Sequence, residues 1–153
     1  MSQVRIRKSA PIFVVFDGQS LNLVPSTPAD MPKCVMRTRS YPWMNVAIGG
    51  RGWLELSADA ETRLFPYARN LEGCTDILIM CGGQGDMIDP VEEGGQQTGA
   101  VAYARAVDYA NAARAAGFHY IAITTVTPIG PNVLNTGRPT PTETQALDDY
   151  NDL

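Results

Sequence analysis

Short, continuous apolar runs that each break off at glycine, proline or an acidic residue constrain this chain more than any other feature. Ile12–Phe16 reads Ile-Phe-Val-Val-Phe and stops at Asp17-Gly18; Ile77–Cys81 reads Ile-Leu-Ile-Met-Cys before Gly82-Gly83; Tyr120–Val126 runs up to Thr127-Pro128. A shorter run, Met44–Ile48, ends at Gly49-Gly50. Runs of this length, rich in β-branched residues and without polar alternation, are expected of strands buried on both faces of a parallel sheet. Parallel neighbours need long crossovers, and the spacers between the runs are long enough to hold helices.

Residues 99–116 are rich in Ala, carry Arg105, Asp108 and Arg114, and close on Gly117, which predicts a crossover helix with a glycine just past its end. A second helix is predicted between Leu54 and Asn70, ended or kinked at Pro66. Thr140-Pro141-Thr142-Glu143 combines a Thr N-cap, Pro at the first helical position and Glu at the third, the signature of a starting helix. In it Ala146, Leu147, Tyr150 and Leu153 fall near helical spacing, while Asp148, Asp149 and Asp152 crowd an end where the helix dipole disfavours negative charge. The expectation is a helix cut before its natural end, whose Leu147, Tyr150 and Leu153 cover a sheet edge that a further strand extends; a frayed terminal helix is the alternative. The expected fold is one domain over 1–153, a three-layer, doubly wound α/β sheet of flavodoxin-like type lacking its C-terminal strand and helix. A continued or companion chain is expected to complete it.

Composition narrows the function classes. With 44% hydrophobic residues in 153, the chain can bury a sizeable core without staples. Twelve Lys and Arg against sixteen Asp and Glu give a net charge of -4, which argues against nucleic acid as a partner. No apolar stretch approaches the roughly 18 residues that span a bilayer, and the N-terminus lacks a signal-peptide run, so neither a membrane nor that secretory route is expected. Cys34, Cys74 and Cys81 are odd in number, and two of them lie beside apolar runs, as expected of reduced thiols. One histidine and no close Cys/His spacing leave no metal site in view. Gly82-Gly83-Gln84-Gly85 is followed by no Lys-Ser/Thr pair, so no nucleotide cofactor is expected.

In a doubly wound sheet, ligands bind beyond the carboxyl ends of the strands, so the loops 17–22, 49–53, 82–89 and 127–139 share one rim. In the first, Asp17-Gly18-Gln19-Ser20-Leu21-Asn22 presents a serine just past a central strand, with a glycine giving room for the turn and backbone N–H groups nearby. Ser20 is thus either a nucleophile or the cap of a following helix. Without the second glycine of Gly-x-Ser-x-Gly, an α/β-hydrolase elbow is disfavoured. Trp43, Trp53 and Tyr41 flank the second loop, either stacking on a sugar or packing. Arg51 faces a substrate carboxylate or solvent. Gln84 and Asp86 either contact substrate or satisfy their own turn.

Taken in order, Phe16-Asp17-Gly18-Gln19-Ser20-Leu21-Asn22, Ala47-Ile48-Gly49-Gly50-Arg51-Gly52 and Ile79-Met80-Cys81-Gly82-Gly83-Gln84-Gly85-Asp86 resemble the first three sequence blocks of the SGNH (GDSL-like) hydrolases. The resemblance implies Ser20 as nucleophile and the Gly50 N–H as an oxyanion donor. The rim residues Gln19, Asn22, Arg51, Trp53 and Asp86 are the expected substrate contacts. The Gly-Gln-Ser form is similar to the branch containing sialate O-acetylesterases and acetylxylan esterases, which implies a small ester or acetylated glycan as substrate.

Two departures stand out. The third block has Gly85 where the family has asparagine; either Gln84, one residue earlier, supplies the amide or the oxyanion hole relies on the backbone of Ser20 and Gly50, and loss of one donor costs about 3 kcal/mol of transition-state stabilisation. The family's Asp-x-x-His base block has no counterpart here. His119 begins the run at 120–126, roughly 23 Å from the rim, too far to serve Ser20 and so expected in a structural or solvent-facing role. Asp86 and Asp89 are on the correct rim, but exposed carboxylates are poor bases for a serine hydroxyl. Two functions follow: an SGNH-type esterase needing a histidine from outside this chain, or a catalytically silent SGNH-like domain that binds glycan or builds an assembly such as a virion.

Overall fold

The computed structural model describes residues 11–18, 36, 41–88, 97–124 and 141–152. In chain order the elements are β1 (Ile12–Gly18), β2 (Trp43–Asn45), α1 (Trp53–Ala58), α2 (Ala60–Arg63), a 3-10 turn at Phe65–Tyr67, β3 (Thr75–Cys81), α3 (Gln84–Ile88), α4 (Gly99–Ala116), β4 (Tyr120–Ile123) and α5 (Pro141–Asn151). The strands form one parallel sheet in the order β2-β1-β3-β4, and the sequence expectation of adjacent parallel strands at 12–16, 77–81 and 120–126 is met over 12–16, 77–81 and 120–123, with 125 and 126 outside the described residues. Val14 pairs with Trp43 on one side and Ile77 on the other, and Ile77 pairs with Tyr120, so these four cross the sheet in one row. β2 itself is three residues long, but its ladder with β1 continues: Val46 N–H donates to Phe16 O and Ile48 N–H to Gly18 O, both at 2.9 Å.

Alternation along the strands sorts the side chains into two layers. Phe13, Val15, Leu78, Met80, Ile121 and Ile123 face α1, α2 and α4, where Trp53, Leu56, Ala60, Leu64, Ala106, Tyr109 and Ala113 close the main core. Fully burying a side chain such as Leu78 or Val15 is worth about 1.5–3 kcal/mol, so this layer holds the sheet to the helices. Helix α4 spans the predicted residues. Thr98 caps it by accepting from the Val101 N–H at 3.3 Å, and Gly117, at φ 120°, ends it. On the opposite face Val14 and Phe16 meet Met36, with Ile12, Ile77 and Ile79 partly buried around them.

Three expectations are corrected. Burial on both faces fails at β4, where Tyr120 is 64% exposed and Ala122 is also exposed, because among the described residues β4 is the sheet's edge. The helix expected over 54–70 breaks first at Asp59, where ψ is 6°. There the carboxylate is drawn to Arg51 and Arg63, and Pro66 lies in the 3-10 turn, where its missing N–H costs little. Helix α5 begins at Pro141 as predicted, but its buried Ala146 and Tyr150 pack on Ala102 and Tyr103 of α4 and Met87 of α3, not on a sheet edge. Leu147 and Leu153 lie outside the described side chains, as do residues 125–140 and Cys34. Cys81 is buried and Cys74 half-buried, both as free thiols.

Candidate active site

Strands β2 and β3 lie on opposite sides of β1, so the crevice beyond the carboxyl ends of β1 and β3 is a topological switch point, where open α/β sheets bind ligands. Glycines let the backbones meet there. Gly18 has φ +128°, and a Cβ on it would overlap the Cys81 carbonyl across the β1–β3 ladder. At the exit of β3, a Cβ on Gly82 would lie 2.9 Å from the Trp53 ring. One on Gly83, at φ +105°, would lie 3.2 Å from both Trp53 Nε1 and the Tyr150 ring. The turn after β2 is looser: Gly50, at φ +73°, is exposed with open space beside it.

Beneath this rim two buried carboxylates tie the loops together. Asp17, fully buried one residue before the end of β1, accepts from Tyr109 Oη at 2.5 Å and from Arg63 Nη1 at 2.5 Å and Nη2 at 3.2 Å. Arg63 also donates to Val46 O at 2.9 Å, Leu56 O at 3.0 Å, the Tyr109 hydroxyl at 3.0 Å and, through Nε, Asp59 Oδ1 at 2.8 Å. Burial alone would lower the Arg63 pKa, but the hydrogen bond and charge of Asp17, then Asp59, raise it, so the guanidinium stays charged. Burial, followed by the Asp17 charge, pushes the Tyr109 hydroxyl up. Asp59 feels burial upward, but Arg63 and then Arg51 hold it below the usual carboxylate range.

The second carboxylate, Asp86 of α3, accepts from the Trp53 N–H at 2.7 Å and pairs with Arg105 Nη1 at 2.8 Å. A Cβ on Gly52 would press this carboxylate at 3.0–3.1 Å, so a glycine there lets Asp86 reach the first turn of α1. Burial, with the Asp86 charge pushing the same way, raises the Tyr150 hydroxyl to about 12. Burial likewise raises the Cys81 thiol, partly offset by Thr124.

Of the residues that the sequence analysis singled out, Gly18, Gly50, Arg51, Gln84 and Asp86 are brought to the rim. Ser20, Gln19, Asn22 and Asp89 lie outside the described residues. Gln84 opens α3 and is half-buried, while Gly85, at the family's asparagine position, is buried. Arg51 is partly exposed and ion-paired with Asp59 at 2.5 Å. Two contacts are corrected: Trp53 is 0% exposed, so its ring packs against Gly82 and Tyr109 and offers no sugar platform, and Asp86, expected exposed, is buried against Arg105 and the Trp53 N–H. Trp43 packs edge-on against Phe16 at 6.1 Å with its outer side open. His119 sits at the amino end of β4, where its Nδ1 accepts from the Asp76 N–H at 3.1 Å, a structural role as expected. Asp17, Arg63, Tyr109 and Arg105 were missed. Their one signal was Asp17 itself, a charge ending a buried apolar run and so obliged to find a partner.

No protein-family profile matches the chain, and no curated protein sequence does. Solved structures do. A lipolytic G-D-S-L family member from Veillonella parvula matches with TM-score 0.67 at 12% identity, over 92% of this chain and 69% of its own. A GDSL-like lipase from Bacteroides thetaiotaomicron matches with TM-score 0.65 at 17% identity, over 92% and 60%. An acetyl xylan esterase matches with TM-score 0.61 at 13% identity, over 92% and 71%. Among the described residues no helix is long and apolar enough to cross a membrane. With four parallel strands among the described residues, in the order β2-β1-β3-β4, and glycine turns gathered at their carboxyl rim, the chain has the fold of these GDSL-like hydrolases.

Proposed function

We propose that the protein is an SGNH-type serine esterase that removes acetyl or similar small acyl groups from a carbohydrate. The observation that carries this reading is the convergence of the β1, β2 and β3 exits, those that precede Ser20, Gly50 and Gln84, at the switch point of a fold shared with GDSL-like and acetyl xylan esterase structures. Ser20 Oγ gives its proton to a base and attacks the ester carbonyl carbon. The tetrahedral oxyanion is held by the N–H groups of Ser20 and Gly50, helped by the Gln84 amide. Collapse expels the protonated alcohol, and water then cleaves the acyl-enzyme to carboxylic acid and free serine. His119 is tied to Asp76 at the far end of the sheet, so in this reading a histidine outside these 153 residues supplies the base. Turnover of p-nitrophenyl acetate by the wild type and Ser20→Ala tests it. Loss of activity in the variant is expected; activity indifferent to the change removes Ser20 as nucleophile.

A second reading is a silent SGNH-like domain that binds glycan or serves an assembly. It is favoured by Gly85, which has no side-chain amide to donate, and by the remote His119. Glycan binding that survives Ser20→Ala, with no hydrolysis by the wild type, is its signature.

A further inference from the structure

Two buried ion pairs lie at opposite ends of the same sheet. At the amino end Arg69 pairs with Asp76 at 2.6 Å, next to His119. At the carboxyl end Arg63 pairs with Asp17. A buried ion pair adds little stability over apolar residues of the same shape, because desolvation offsets the attraction; what it does impose is one geometry. The second pair is wired into the rim in a way that the first is not. All three guanidinium nitrogens of Arg63 are engaged, on Asp17 of β1, on the carbonyl of Val46 in the segment leaving β2, and on Leu56 and Asp59 of the helical segment beyond. Asp59 in turn holds Arg51, the neighbour of Gly50. Charges therefore alternate along Arg51, Asp59, Arg63 and Asp17, from the turn beside the candidate oxyanion donor to the strand end three residues before Ser20. Tyr109 of α4 closes the chain from below.

We propose that Arg63 is a positioning residue which, clamped between Asp17, Val46 O and Asp59 and backed by the Tyr109 hydroxyl, fixes the Gly50 turn against the carboxyl end of β1, the strand that leads into Ser20. The proposal rests on the esterase reading. Lysine cannot replace Arg63, because one ammonium cannot reach these acceptors in a planar fork. A shift of about an ångström between nucleophile and oxyanion donor is enough to lower a rate on the order of a hundredfold. The transition state then suffers while ground-state binding does not, so the loss falls on kcat.

The experiment compares kcat and KM for p-nitrophenyl acetate, together with thermal midpoints, in the wild type, Arg63→Lys, Tyr109→Phe and, as a control at the far pair, Arg69→Lys, against a Ser20→Ala background. Arg63→Lys is expected to lower kcat by about 10- to 100-fold with KM within about twofold. Tyr109→Phe removes one hydroxyl and is expected to lower kcat by about threefold or more; it carries the test if Arg63→Lys does not fold. Arg69→Lys is expected to leave kcat within about twofold. The proposal is overturned if Tyr109→Phe or a folded Arg63→Lys retains wild-type kcat, or if Arg69→Lys lowers it as much as they do, and in either case the esterase reading stands. A wild type no faster than Ser20→Ala overturns the esterase reading, and the positioning role with it.

Discussion

Trp53 separates a core role from a sugar-binding one without any assay of activity. Its ring is 0% exposed, against Gly82, Gly83 and Tyr109 beneath the rim, whereas Trp43 is 38% exposed. An indole buries up to about 250 Å², which at about 25 cal/mol per Å² bounds the hydrophobic contribution near 6 kcal/mol. Truncations of buried aromatic residues to alanine cost about 3–5 kcal/mol. Trp53→Ala should therefore remove a large part of a stability of about 5–15 kcal/mol and lower the thermal midpoint by about 6–20 °C. Trp43→Ala, on a partly open ring, should cost far less. Fluorescence supplies a second measurement: with Trp43→Phe, the remaining Trp53 emission should be blue-shifted and protected from iodide. A midpoint for Trp53→Ala within about 2 °C of the wild type, or ready iodide quenching of Trp53, refutes the placement of this ring and restores it as a sugar platform.

Tyr150 makes a pH prediction. Its folded pKa is raised from 10.0 to about 12, so the folded state holds its proton more tightly than the unfolded state. The associated stability is complete below pH 10 and is lost as pH rises toward 12, by about 2.7 kcal/mol for two pKa units of a nearly buried group. Urea midpoints between these pH values should fall less steeply for Tyr150→Phe, and identical slopes would count against it. At Gly18, substitution by alanine adds a Cβ where the Cys81 carbonyl already sits, at a φ of +128° that L residues rarely adopt. Gly18→Ala should cost more than about 3 kcal/mol by denaturant titration, and a cost under about 1 kcal/mol would show that β1 and β3 do not meet as closely as described.

Much of the architecture was legible in local sequence, because buried parallel strands and capped helices carry signals within a few residues of themselves. Ile12–Phe16 and Ile77–Cys81 were recognisable from unbroken apolar content, helix α4 from its alanines and Gly117, and the start of α5 from Thr140-Pro141. The order of the rim loops also followed, since three of the four apolar runs led into glycine and the fourth into Thr127-Pro128. Tertiary structure alone decided what depends on partners distant in sequence. The burial of Asp86 requires Arg105, 19 residues away, and the burial of Asp17 requires Arg63 and Tyr109, 46 and 92 residues away. No local pattern encodes such pairings. The burial of Trp53 is similar: its place in the sequence suited a rim aromatic, and only the packing of Gly82 against its ring turned it into core. Local sequence thus specified the strands, helices and turns, whose formation depends on near neighbours, while long-range desolvation and charge pairing decided which polar and aromatic groups of the rim stay open to a ligand.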